Sequence, residues 1–176
     1  IKGNNEFTVN IALMADRVCI CAVVYVPYLK KAYVASRALG AYLITDIEPD
    51  KDACYSYEQI CSLRSRLPLQ SAAHSGYRIA VSRSHQTSET MEYIEAVKSS
   101  RSDVEIVEQG SSYKFCLLAE GEIDYYPRTT NTYEWDTAAA ELILAEAGGF
   151  TRSLPDHQPL LYNKEDLKNP WFECGR

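Results

Sequence analysis

From Glu6 to Met14 apolar and polar positions alternate, with Phe7, Val9, Ile11 and Leu13 on one face and Thr8, Asn10 and Ala12 on the other. A period of two over this length predicts a half-buried strand. Asp16-Arg17 marks a tight turn, and Val18 to Val26, rich in Val, Ile and Cys, returns as a second strand that Pro27 stops. Lys31 to Ser36 and Ala41 to Thr45 read as two more short strands separated at Gly40, so the chain opens with an antiparallel meander. Between Asp46 and Ser75 the periodicity weakens, with Pro49 and Pro68 near its ends and a short helix around Tyr57 to Leu67. This stretch reads as a linker and places a domain boundary between residues 1–72 and 73–176.

After Gly76 the pattern changes. Strands are predicted at Tyr77 to Ser82, Val104 to Glu108 and Glu122 to Tyr126, and helices at Glu89 to Ser100, Ser112 to Glu120 and Asp136 to Ala147, the last closed by Gly148-Gly149. Asn169 to Cys174 reads as a final strand. Alternating strands and helices imply right-handed crossovers and a mostly parallel sheet. The fold class is α/β, or α+β when the opening meander is included.

At 176 residues, 46% hydrophobic and 24% charged, the chain is long enough to bury a sizeable core and lies outside the disordered and fibrous classes. No apolar run is long enough to span a bilayer, and no signal peptide is expected. The net charge of −6 disfavours nucleic acid and anionic lipid over most of the surface, so an anionic ligand must meet a local basic patch. The six cysteines, at 19, 21, 54, 61, 116 and 174, form no CxxC pair and no zinc-spaced Cys/His cluster. They read as reduced, mostly buried small hydrophobes, with Cys19 and Cys21 on one strand face; a disulfide framework is the alternative. The chain begins at Ile1 without an initiator methionine and reads as a fragment or a processed product.

In an open α/β sheet ligands bind beyond the carboxyl ends of the strands. The unusual polar residues cluster at those ends: Ser82-Arg83-Ser84-His85, Gly110-Ser111-Ser112 with Lys114 one turn later, and Arg128 followed by Asp136. Gly110-Ser111-Ser112 at a helix start offers free amides, hydroxyls and the positive end of the helix dipole, which suit a phosphate, with Lys114 and Arg128 supplying charge. The alternative is that the serines are helix caps and the cations surface residues. Asp136 is an N-cap, a ligand, or both; His85 is a hydrogen-bonding group of a pocket or a surface residue. Tyr133 and Trp135 stack on an aromatic base or pack in the core.

The segments Asn5 to Leu13, Ser82-Arg83-Ser84-His85, Gly110 to Leu117, Tyr126-Pro127-Arg128 and Glu134-Trp135-Asp136-Thr137-Ala138-Ala139 closely resemble the CysQ-type 3′(2′),5′-bisphosphate nucleotidases of the inositol monophosphatase superfamily. The resemblance implies an αβαβα layered sandwich, a lithium-sensitive, Mg²⁺-dependent phosphatase, a cytoplasmic location with a peripheral place at the inner membrane as the alternative, and removal of the 3′-phosphate of 3′-phosphoadenosine 5′-phosphate to give AMP; the alternatives are an inositol or sugar phosphate phosphatase and a non-catalytic nucleotide-binding remnant. It makes Asp136 a metal-binding aspartate and places Ser84, His85, Gly110, Ser111, Lys114, Arg128 and Asp136 around the nucleotide. Thr129-Thr130-Asn131-Thr132 departs from the family's loop, and Ala140 stands where Gly is usual. The family's other metal carboxylates would lie before Ile1, in an N-terminal segment of the same protein. The chain alone is therefore expected to bind Mg²⁺ weakly and to be inactive, since one carboxylate cannot satisfy a hard cation that takes about six oxygens.

Overall fold

Asp16 and Arg17 both take positive φ, 48° and 66°, and fold β1 (Val9–Ala15) back onto β2 (Val18–Val26) in the left-handed turn that antiparallel hairpins favour. In this computed structural model the described residues are 5–48, 56–69, 75–83 and 87–176. The meander continues through a 3-10 turn at Pro27–Leu29 into β3 (Lys31–Ser36) and β4 (Gly40–Ile44). The helix expected over Tyr57 to Leu67 is shorter. Ser56 caps α1 (Tyr57–Leu63) through a reciprocal pair with Gln59, and the chain then extends at Arg64 to add β5 (Arg64–Arg66) beside β4. Edge pairing with β4 outweighs the helical tendency of a segment whose side chains are exposed. The first sheet has the order β1-β2-β3-β4-β5 and is antiparallel throughout.

Two expectations for this sheet are corrected. Met14 pairs with Cys19 while Leu13 pairs with Cys21, so an extra residue at Ile20 bulges β2 and breaks the alternation. Cys19 is buried and Cys21 is exposed, on different faces. The apolar stripe of β1 is also not the covered one: Ile11 is 62% and Leu13 56% exposed, whereas Ala12 and Met14 pack against the core. Ile11 stands opposite Val23, Val23 opposite Val34, and Val34 opposite Tyr42, so the outer face of the sheet is apolar across four strands.

The second sheet holds β6 (Tyr77–Val81), β7 (Val104–Glu108), β8 (Tyr125–Arg128), β9 (Phe150–Ser153) and β10 (Phe172–Gly175) in the order β7-β6-β8-β10-β9. β6 is parallel to β7 and β8, and β10 runs antiparallel between β8 and β9. The parallel part is the one legible in the strand-helix alternation. β9 has no sequence signature of its own, because its partner arrives from the far end of the chain.

Helices α2 (Ser88–Ser100), α3 (Tyr113–Glu120) and α4 (Glu134–Glu146) complete the structure. α4 packs on β1 to β4 on one side and on β9 on the other, with α3 beside it; α2 contacts β8, and its Ile94 clusters with Ile79, Val81 and Tyr125. The layers run sheet, helix pair, sheet, helix. This position explains why α4 is apolar nearly all round, with Ala138, Ala139, Ala140, Leu142, Ile143 and Leu144 buried: a helix between two sheets has little solvent face. Gly148 (φ 89°) ends α4, and a Cβ at Gly149 would lie 2.3 Å from Leu144 Cδ1, so the helix end packs tightly against its own exit. The mixed α+β, two-sheet architecture agrees with the expectation. Of the six cysteines, 19, 21, 116 and 174 are free thiols; Cys54 lies outside the described residues.

Candidate functional site

The carboxyl ends of β6, β7 and β8 and the first turns of α3 and α4 open onto one cavity of about 440 Å³. Gly110, Ser111, Lys114, Arg128 and Asp136 all line it, so five of the residues singled out in the sequence converge. Ser84 and His85 lie outside the described residues.

Ser111 sits at φ 53°, left-handed for a residue with a side chain, and Ser112 follows in the right-handed helical region. Successive residues of opposite hand turn their main-chain N–H groups toward a common concavity that suits an anion. Ser112 is the N-cap of α3, yet its side chain does not cap: the hydroxyl donates to the Asp136 carbonyl at 2.7 Å and accepts from Asn10 Nδ2 at 3.0 Å. The cap expectation is corrected for a tertiary reason, since the start of α4 lies within the hydroxyl's reach. Ser111 Oγ accepts from Tyr113 N at 3.4 Å. Glu6 presses on Gly110, where a Cβ would meet Glu6 Oε2 at 2.8 Å.

Lys114 is buried, 2% exposed, and donates to the carbonyls of Gln109 at 2.9 Å and Ser111 at 2.8 Å, with its ammonium 5.0 Å from the Tyr126 ring centroid. Burial, with Arg128 adding repulsion, pushes its pKa down to about 7, against the opposing pull of Glu6.

Arg128 donates through Nη1 to Ser82 Oγ and through Nη2 to the Asn131 carbonyl at 3.4 Å. Its Nε is buried and has no hydrogen-bond partner among the described residues. Asp136 is the third residue of α4, not its N-cap; Tyr133 is. The Asp136 carboxylate reaches back to accept the Tyr133 N–H at 2.9 Å through Oδ2, while Oδ1 accepts no hydrogen bond among the described residues. It therefore anchors the helix start and offers one oxygen to the cavity.

Ser82 and Arg83, from the polar cluster at the end of β6, also line the cavity, as do Glu6, Asn10 and Thr137, to which the sequence reading gave no role there. Asn10 had a signal, a polar amide within a strand of mostly apolar residues; its Oδ1 is buried without a partner among the described residues. Glu6 pairs with Arg83 at 2.8 Å, bringing a carboxylate to the cavity wall. Tyr133 and Trp135 are stacked on each other, 4.7 Å between centroids and 7° between planes, and exposed, so neither packs in the core.

Among the described residues no group of three or more His, Cys, Asp or Glu side chains converges as a metal site. Magnesium keeps several waters and takes carboxylate and phosphate oxygens for the rest; of the two carboxylates that line the cavity Glu6 is paired with Arg83, which leaves Asp136, so the described residues by themselves do not make a multi-carboxylate metal site.

The model of the inositol monophosphatase family matches residues 1–168. The chain belongs to that family. It is 35% identical to the 3′(2′),5′-bisphosphate nucleotidase CysQ of Escherichia coli K12 over 99% of its length, covering 62% of that protein. It superposes on the crystal structure of CysQ from Bacteroides thetaiotaomicron with a TM-score of 0.92 at 43% identity, over 99% of this chain and 64% of the other. It shares its fold with inositol monophosphatase II of Staphylococcus aureus, TM-score 0.66 at 18% identity, over 96% and 55% of the two chains. The chain thus spans about three fifths of the length of these family members.

Proposed function

We propose that the protein to which this chain belongs is a Mg²⁺-dependent phosphatase that removes the 3′-phosphate of 3′-phosphoadenosine 5′-phosphate to give AMP. The observation that carries this reading is the meeting, in one cavity, of the Ser111-Ser112 amide turn, the Arg128 Nε, which has no partner among the described residues, and the Asp136 carboxylate. An anion-binding half stands beside one corner of a cation site, which is what hydrolysis of a phosphate monoester requires. The resemblance to CysQ proteins points to the nucleotide.

In this reading Arg128 and the 110–112 amides hold phosphate oxygens, Ser82 and Asn131 keep the guanidinium in place, and Asp136 Oδ1 faces the metal position. The remaining metal carboxylates come from polypeptide outside these 176 residues. That same polypeptide covers the apolar outer face of the first sheet, where Ile11 and Leu13 are exposed. Residues 1–72 then belong to a phosphatase domain shared with it, and residues 73–176 form the nucleotide-binding part. The location is cytoplasmic; among the described residues no helix is long and apolar enough to cross a membrane.

The test compares phosphate release from 3′-phosphoadenosine 5′-phosphate, inositol monophosphate and a sugar bisphosphate by the full-length protein, with and without Li⁺. Preference for the nucleotide and inhibition by Li⁺ are expected; a tenfold preference for inositol phosphate overturns the substrate. Lack of a carboxylate cluster among the described residues favours one other reading, a non-catalytic nucleotide-binding remnant, which binding without turnover would establish.

A further inference from the structure

We infer that Asn169 is a positioning residue for the cavity: from the connection between β9 and β10 it grips the two peptide units on either side of Tyr133, and so fixes the turn that presents Thr132, Asp136 and Thr137. This rests on the reading of the cavity as the site of phosphate-ester hydrolysis, and it extends that site to a residue that does not line it.

Residues 154–171 join β9 to β10 without a helix or strand of their own. Connections of this length are uncommon in a compact fold and usually functional. Here the chain folds over the first turn of α4. Lys168 bridges to Tyr133, the Glu134 N–H donates to the Leu167 carbonyl at 3.0 Å, and the Glu134 carboxylate accepts the N–H groups of Asn163 and Lys164.

Asn169, 3% exposed, is the centre of this clasp. Its main-chain N–H donates to the Thr132 carbonyl at 2.9 Å. In a trans peptide the C=O and the next N–H point in opposite directions. The Tyr133 N–H of that same unit is therefore turned to the far side, where it donates to Asp136 Oδ2 at 2.9 Å. The Asn169 side-chain amide takes the next unit, donating to the Tyr133 carbonyl at 2.9 Å, and reaches the hydroxyls of Thr137 at 3.0 Å and Thr132 at 3.2 Å. One residue thus holds, from behind, the peptide that anchors the Asp136 carboxylate and both threonines of the wall.

Donor capacity explains why an amide stands there. Nδ2 meets three acceptors, whereas Oδ1 is buried with no partner among the described residues. A buried carbonyl without a partner is unfavourable, so the residue is accounted for by its N–H groups. Tyr162 also reaches the Thr137 hydroxyl, at 3.3 Å, but its one hydrogen is shared with Glu141.

The experiment uses the full-length protein, with phosphate release from 3′-phosphoadenosine 5′-phosphate and amide hydrogen exchange as readouts. Asn169→Asp keeps the shape and sets a carboxylate against three acceptors. At pH 8 its kcat should fall about tenfold with KM within about threefold of the unsubstituted value. Exchange should quicken at residues 132–137 while residues 142–146 stay as protected as before. Burial raises the pKa of a carboxyl, and the protonated form can donate, so lowering the pH from 8 to 6 should raise kcat about threefold relative to the unsubstituted protein at the same pH. Thr137→Val removes one acceptor at nearly equal volume; it should lower kcat about threefold and quicken exchange at the same residues, a measurement that stands even if Asn169→Asp fails to fold. An unchanged kcat per folded molecule, a change in KM alone, exchange raised evenly along α4, or no recovery at low pH overturns the proposal and leaves Asn169 a part of the core. If the unsubstituted protein releases no phosphate, the reading of the cavity falls, and exchange at residues 132–137 still decides whether Asn169 holds the turn.

Discussion

The Ser112 hydroxyl donates to the Asp136 carbonyl at 2.7 Å, joining the first turns of α3 and α4 across 24 positions of sequence. Asn10 Nδ2 adds the first sheet to this link through Ser112 Oγ, so three elements that line the cavity share one hydroxyl. Ser112→Ala removes both bonds. A loss of about 1–2 kcal/mol in urea unfolding is expected, together with weaker phosphate binding, and Ser112→Thr should recover most of it. Unchanged stability in Ser112→Ala would show that the link carries no load.

Arg128→Lys should weaken phosphate binding by about tenfold, or roughly 1.4 kcal/mol. A guanidinium reaches Ser82 and the Asn131 carbonyl while keeping Nε for the ligand, and a single ammonium cannot do all three. Isothermal titration with phosphate measures it; an equal Kd in Arg128→Lys argues that Arg128 serves Ser82 alone.

Glu141 accepts a hydrogen bond from Tyr162, and burial pushes its carboxyl up to about 7, with the Tyr162 bond and Arg37 opposing. Below about pH 4.5 it is protonated folded and unfolded alike. Between there and pH 7 the folded state binds the extra proton, so stability falls as pH rises, by on the order of 3 kcal/mol in all. Glu141→Gln, neutral at every pH, should become the more stable protein by comparison as pH goes from 5 to 8. Parallel unfolding curves for the two proteins across that range would refute this.

The Glu146 carboxylate accepts the N–H groups of Ala38 and Gly40 at 2.9 Å each, tying the end of α4 to the β3–β4 turn. Glu146→Ala leaves two donors at the turn, one of them half-buried, and should cost roughly 1–3 kcal/mol in chemical unfolding. Faster amide exchange at residues 38–40 is the local sign to look for.

With Glu6 paired to Arg83 and only Asp136 left to face a cation among the described lining residues, the 176-residue chain should show no thermal stabilisation by millimolar Mg²⁺ and no phosphate release. Phosphate release by the purified chain, lost in Asp136→Asn, would prove these residues sufficient.

The boundaries of β2, β3 and α2 were legible to within a residue because each is set locally, by alternation, by Pro27 or by the Thr87 cap. The grouping of Gly110, Ser111, Lys114, Arg128 and Asp136 was legible too, since parallel strands deliver their carboxyl ends to one edge. What each group does there was not. Ser112 reads as a cap until α4 is brought beside it, and Lys114 reads as a free cation until the turn closes around it. The covered face of β1 was likewise hidden, because alternation shows that a strand has two faces and only the packing of α4 says which one is inside. The sequence by itself determined the elements and the edge at which the polar residues meet, through local sterics and periodicity. Tertiary structure alone decided the partners of those residues, since a hydrogen bond across 24 or 102 positions depends on where two elements are packed.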